Sequence, residues 1–155
     1  MENGIRHLSS VIRCAVREPE GIQAHGSDSD RPSVFIEGDI LEPATWAVLP
    51  RLEVVVSNPP YIPIREKNNM PEHVLAHEPA LALFVEDHDP LLFYRAIAQF
   101  CAEKLLPGGA LFLECNEFNA QQVGALLREH AFESVELRKD LAGAERMVSA
   151  RLAAV

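Results

Sequence analysis

Five consecutive residues, Ser57-Asn58-Pro59-Pro60-Tyr61, have the types and spacing to hold a planar amide or amino group. The nitrogen of such a group is a poor nucleophile, because its lone pair is delocalised into the adjoining π system. A site that methylates it must hold both N–H bonds and point the lone pair at the donor carbon. Asn58 can offer its side-chain carbonyl oxygen as one acceptor. The backbone carbonyl of Pro59 can be the second. Proline removes a competing N–H donor and fixes φ, so Pro59 and Pro60 keep that carbonyl rigidly aimed. Tyr61 supplies a flat face on which the planar target can stack. No general base is needed in advance, and catalysis would come from positioning, with reacting atoms about 3–3.5 Å apart before transfer. Asn and Pro are also common turn residues, so the tetrapeptide alone would pass for a turn.

Its setting decides between the two. Glu53-Val54-Val55-Val56-Ser57 is apolar on successive positions and β-branched, the pattern of a parallel strand buried on both faces. It stops at Asn58-Pro59-Pro60, which cannot continue a ladder. Ligands of open α/β sheets sit beyond the carboxyl ends of strands, where this motif lies. Upstream, Val34-Phe35-Ile36 reads as a strand closed by Gly38-Asp39, and residues 44–49 as a short helix. Residues 61–79 are irregular, with Pro63, Pro71 and Pro79 and a short helix near 72–77. A helix is expected from about Pro90 to Leu106, with Leu92, Phe93, Ile97, Phe100, Cys101 and Leu105 on one face and Pro107-Gly108-Gly109 ending it. Ala110–Glu114 is the next strand, 119–130 a helix with Val123, Leu126 and Leu127 inward, and 133–138 and 146–152 two last strands. Alternating strands and helices predict an α/β sandwich with a mostly parallel sheet. The last two strands lack a helix between them and should pair antiparallel.

With 155 residues, 48% apolar and 24% charged, the chain has the size and composition of one globular domain. No apolar run approaches the roughly 18 residues needed to span a bilayer. The N-terminal ten residues have no basic stretch leading into an apolar core and do not read as a secretory signal. Fourteen basic against 23 acidic residues give a net charge of −9. Such a domain repels phosphate backbones, which argues against direct nucleic-acid binding. Cys14, Cys101 and Cys115 form no CxxC and read as reduced cytosolic thiols. Residues 1–33 differ from the rest: Ile5, Leu8, Val11, Ile12 and Val16 recur at helical spacing, and a polar loop expected to be mobile follows, with Ser27-Asp28-Ser29-Asp30 before Pro32. The reading is therefore a helix plus polar loop over 1–33 and one α/β unit over 34–155.

From about Val34 to Leu152 the sequence resembles the HemK/PrmC protein-glutamine N-methyltransferases, class I enzymes that use S-adenosylmethionine. The resemblance lies in Glu37-Gly38-Asp39-Ile40-Leu41, Val55 through Pro63, His77-Glu78-Pro79-Ala80-Leu81-Ala82-Leu83-Phe84, Leu105-Leu106-Pro107-Gly108-Gly109, Asp140-Leu141-Ala142-Gly143 and Arg146-Met147-Val148. The Asn-Pro-Pro-Tyr motif is shared with DNA adenine methyltransferases. The Glu-Pro-x-x-Ala-Leu segment narrows it to glutamine enzymes, and the C-terminal segments look more like the release-factor branch. The resemblance implies a Rossmann-like class I sheet and methylation of the glutamine in the Gly-Gly-Gln loop of peptide-chain release factors, in the cytoplasm. It implies that Asn58 and Pro59 hold the amide, that Tyr61 packs on it, and that Asp39, Ile40 and Asn58 face the cofactor. Asp39 is equally a plain turn residue, Glu78 shapes or contacts the substrate side, and Glu114 is more often structural than catalytic.

The family's glycine-rich cofactor loop and the acid for the ribose hydroxyls have no match here, since no pair of glycines before the motif forms G-x-G. Its N-terminal helical domain has no counterpart either. In the family strand order 3-2-1-4-5-7-6, the unmatched strands 1 and 2 lie between the 34–37 strand and the motif strand. That leaves the motif strand as an open edge, which the 34–37 strand or a second copy of the chain is expected to cover. Tight binding of S-adenosylmethionine by this chain alone is not expected, and a shortened or split enzyme fits that picture. The competing readings are adenine methylation of nucleic acid and a non-catalytic module that binds a protein through its sheet edge. His73 and His77 have the spacing of a zinc pair, but Val74 stands where a metalloprotease base would be and no third ligand is evident, so no metal site is expected.

Overall fold

The computed structural model describes residues 36, 38–70, 72, 77 and 80–154. Along the chain these form a 3-10 turn at Pro43–Trp46, strands β1 (Leu52–Ser57) and β2 (Ile62–Pro63), and a second 3-10 turn at Ile64–Asn69. Helix α1 (Ala80–Leu83), strand β3 (Phe84–Val85), helix α2 (Leu92–Lys104) and strand β4 (Leu105–Glu114) follow. Helix α3 (Ala120–Glu129) and strands β5 (Phe132–Lys139) and β6 (Glu145–Leu152) complete the fold. The main sheet has the order β1-β4-β6-β5, and β2 and β3 form a separate parallel ribbon.

That order agrees with the 4-5-7-6 part of the strand order that the resemblance implies, with the antiparallel strand between the two that precede it in sequence. β1 runs parallel to β4, whereas β6 is antiparallel to both β4 and β5. Among the described residues the main sheet is therefore mixed, with one parallel pair, and not mostly parallel. A parallel partner needs a crossover helix, and α2 supplies the only one between described neighbours in this sheet. The expected antiparallel pairing of the last two strands is present.

Both long helices pack on one face of the sheet. α2 buries Phe93, Tyr94, Ile97, Phe100 and Cys101, and α3 buries Val123, Leu126 and Leu127 at positions three and four apart. They meet Val55, Leu111, Leu113 and Val148 in one core, where each large side chain removed from water contributes about 1.5–3 kcal/mol. Trp46 closes the lower end with its ring edge-on to Phe100, the centroids 5.5 Å apart.

The opposite face departs from expectation. β1 is buried on one side only: Val54 and Val56 are 41% and 55% exposed, and Phe112 and Met147 beside them 44% and 41%. No described helix covers this face, so the described residues form two layers, one of sheet and one of helices. Apolar runs give the same pattern for a strand covered twice and for one with an uncovered apolar face, which is why β1 misled. The 34–37 strand lies mostly outside the described residues; Ile36 itself is exposed and in no strand. The helix over 5–17 and the polar loop lie outside them too. Among described strands β1 has one neighbour, β4.

The end of α2 is also corrected. The helix stops at Lys104, and Leu105 already pairs with Leu52, whereas Val54 pairs with Ala110. Residues 106–109 thus loop out of the ladder as a bulge. Gly108 adopts φ 76°, which favours glycine, and a Cβ on Gly109 would come within 2.8 Å of the Leu106 carbonyl oxygen and 3.0 Å of that of Glu53. The expected helix at 44–49 is the 3-10 turn one residue earlier, and 119–130 and the two last strands fall within a residue of their expected bounds.

Candidate functional site

β1 and β4 run parallel and finish side by side, with Ser57 paired to Leu113. Their carboxyl ends therefore open on the same space. The chain leaves β1 through Asn58, and Pro59 and Pro60 are fully buried beneath it. Two consecutive prolines fix this exit, so Asn58 is held on a stiff backbone at the sheet margin. Asn58 is exposed and, with Val56, Phe112, Glu114, Arg138 and Met147, lines a cavity of about 490 Å³. Apolar walls with a few convergent polar groups are the usual make-up of a small-group binding site.

Tyr61, half-buried, does not hang free. Its hydroxyl donates to Oε1 of Glu114 at 2.9 Å, joining the loop after β1 to the last residue of β4. Burial, then the bond to Glu114, push the Tyr61 phenol up to about 12, while the Arg146 guanidinium acts in the opposite sense. Tyr94 of α2 donates its hydroxyl to the Glu114 backbone carbonyl at 3.1 Å, and burial raises its ionisation well above the ordinary range. Next along the chain, the Cys115 amide donates to the Arg146 carbonyl at 2.9 Å, and burial pushes the Cys115 thiol up to about 11.

Arg146 is itself held from both sides. Its Nη2 lies 3.2 Å from Glu117 and its Nε 3.2 Å from Asp140. Asp140 earns that position from the turn it builds. One carboxylate oxygen accepts from the Ala142 and Ala144 amides, each at 2.9 Å, and Gly143 adopts φ 89° to close the loop. The Asp140-to-Gly143 turn between β5 and β6 thus aims Arg146 back at the motif.

The expected site residues do not all come together. Asn58, Pro59, Pro60 and Tyr61 follow one another at the end of β1, and of the four only Asn58 lines the cavity. Asp39 serves its own turn: its carboxylate accepts from the Leu41 amide at 2.9 Å, and its carbonyl accepts from the Thr45 hydroxyl at 2.8 Å. Ile40 is 2% exposed and belongs to the core. Neither lines the cavity beside Asn58. Glu78, His73 and Val74 lie outside the described residues, and His77 is exposed. No cluster of His, Cys, Asp or Glu suited to a metal occurs among the described residues. Glu114 and Arg146 are polar residues that the structure brings beside the motif, Glu114 through its bond with Tyr61. The signal for Glu114 was its place at the carboxyl end of the strand next to the motif strand.

No protein-family model matches the chain. Among curated proteins it is similar to the release factor glutamine methyltransferase of Flavobacterium psychrophilum, 40% identical over 74% of this chain and 39% of that protein. The enzyme of the same name from Bacteroides thetaiotaomicron is 43% identical over 63% of this chain and 35% of its own length. The chain thus spans about two fifths of the length of these relatives. A crystal structure of a release factor-specific protein-(glutamine-N5) methyltransferase from Alicyclobacillus acidocaldarius aligns at TM-score 0.44 and 27% identity, over 74% of this chain and 55% of that one.

Proposed function

This chain belongs to the HemK/PrmC family, and on that premise we propose that its Asn58-to-Tyr61 motif holds the glutamine amide of a peptide-chain release factor for N5-methylation. The observation that carries the reading is Asn58 at the joint carboxyl end of β1 and β4, in the wall of an open hollow on the uncovered sheet face and on a backbone stiffened by two buried prolines. The Asn58 side-chain carbonyl accepts one N–H of the amide and the Pro59 backbone carbonyl accepts the other. Pro60 keeps the chain from relaxing away, and Tyr61 packs on the flat of the amide. The nitrogen is then aimed out into the cavity, and the gain is one of positioning. Residues 34–155 are assigned to this unit, with 1–33 as an added segment and Glu78 on the substrate side.

S-adenosylmethionine is the methyl donor this family implies. Of Asp39, Ile40 and Asn58, only Asn58 lines the cavity; the Asp39 carboxylate is engaged by the Leu41 amide, and Ile40 is buried. The described residues therefore fit the amide and do not fit the adenine end of the donor. The chemistry assigned to them ends at holding and aiming the amide. The partner is a protein presenting a Gly-Gly-Gln loop, in the cytoplasm, and the −9 charge favours that over a nucleic acid. A second copy of the chain is the other partner this reading admits, across the edge where β1 has one described neighbour.

Titration of the chain with a release-factor domain that presents the Gly-Gly-Gln loop tests the reading. Binding should weaken when that glutamine is changed to glutamate, because a carboxylate has no N–H to offer Asn58 and Pro59. Binding indifferent to that change, or methyl transfer from S-adenosylmethionine to adenine in place of glutamine, would overturn it.

A further inference from the structure

The two prolines fix the backbone of the motif but leave the Tyr61 side chain its own torsions. A half-buried ring next to a loop would wander among rotamers unless something ties its far end. From the 2.9 Å bond between its hydroxyl and Glu114, across 53 residues of sequence, we infer that Glu114 is a positioning residue for Tyr61. Its carboxylate holds the ring in place beside Asn58 and Pro59.

The arrangement around that bond fits the role. Glu114 ends β4, where it pairs with Met147 of β6, so its backbone is fixed by the sheet. Its side chain stands on the uncovered face, in the same cavity wall as Asn58. Its backbone carbonyl is held in turn by the Tyr94 hydroxyl, at 3.1 Å. A hydroxyl bonded to a carboxylate makes a charge-assisted bond, about twice as strong as its neutral counterpart. Arg146, pinned between Glu117 and Asp140, brings a positive charge to the Tyr61 hydroxyl from the other side. A planar target stacked on Tyr61 is aimed only as well as the ring is, and small misplacements are costly in a reaction that depends on positioning.

This inference rests on the amide-holding reading for its binding consequence and on the hydrogen bond for its structural one, so the test has two arms. The chain has two tyrosines, and a sample with 13Cζ-labelled tyrosine gives two signals that Tyr61→Phe assigns. Glu114→Gln should shift the Tyr61 signal more than that of Tyr94, which meets Glu114 through its backbone carbonyl. Affinity for the Gly-Gly-Gln domain should fall about 10-fold. If Glu114→Gln does not fold, Tyr61→Phe removes only the bonded oxygen and should weaken binding in the same way. An unmoved Tyr61 signal, or an unchanged affinity in a folded variant, overturns the inference. A Tyr61 signal that shifts in a chain that binds the glutamine and glutamate forms of the loop alike upholds the tie and overturns the amide reading.

Discussion

Asn58 is exposed and takes no part in the core, so its replacement tests chemistry apart from folding. Asn58→Ala should weaken binding of the Gly-Gly-Gln domain about 10-fold and leave the thermal midpoint unchanged; unchanged affinity would remove it from the site. Tyr61, Tyr94 and Cys115 set the response to alkali. The folded chain holds the Tyr61 proton up to about 12 against 10.0 for a free phenol, and the Cys115 proton up to about 11 against 9.0. A group whose proton is held more tightly when folded stabilises below its unfolded pKa and loses that contribution as pH rises through the folded one. Denaturant midpoints should therefore stay level up to about pH 9 and decline between 9 and 12; a level profile through that range would contradict both shifts. Cys101 and Cys115 are fully buried, and a thiol-reactive dye near about pH 8 should leave both unlabelled until the chain is denatured. At this scale the motif was legible because Asn, Pro and Tyr carry their chemistry in fixed local order. Glu114 was not, since nothing in local spacing records that residue 114 will meet residue 61.

At the scale of the elements, the segment from Leu105 to Gly109 has the most to teach. Proline and glycines after an apolar helix signal a helix end, and the signal is sound as far as it goes: α2 stops nearby. It does not record that Leu105 already lies in the ladder against Leu52, or that the next four residues bulge. Gly109 sits where the backbones of β1 and β4 approach, and Gly109→Ala should cost about 1–3 kcal/mol, read as a lower denaturant midpoint. Gly108→Ala meets no neighbour and should lose stability only through its positive φ. Equal losses for the two would show that the close approach to Glu53 does not matter. The amphipathic helix α3 and the last hairpin were readable almost to the residue, because their apolar positions face a single neighbour and keep a single period.

Over the whole molecule, the sheet has one face under α2 and α3 and one face with Val54, Val56, Phe112 and Met147 in solvent. Contiguous exposed apolar surface of this kind marks an interaction site or an association hazard. Val56→Lys combined with Phe112→Lys should keep the fold, since neither side chain enters the core, and should suppress any concentration-dependent association in sedimentation. Association that persists in the double variant would place the contact elsewhere. Composition and strand pattern gave the class of fold correctly; which face is covered depends on long-range packing that a strand's own residues do not encode.

The strand order has a consequence for how the protein comes into being on the ribosome. β6 is the last described strand in sequence, yet it lies inside the sheet, between β4 and β5. A nascent chain that has emerged as far as Lys139 holds both outer partners and nothing to join them. Only when Leu152 has cleared the exit tunnel can the gap between them fill. Arg146 arrives with that strand, so the Tyr61–Glu114 pair meets its counter-charge only once β6 is in place, and no translation product that stops short of β6 carries a finished site.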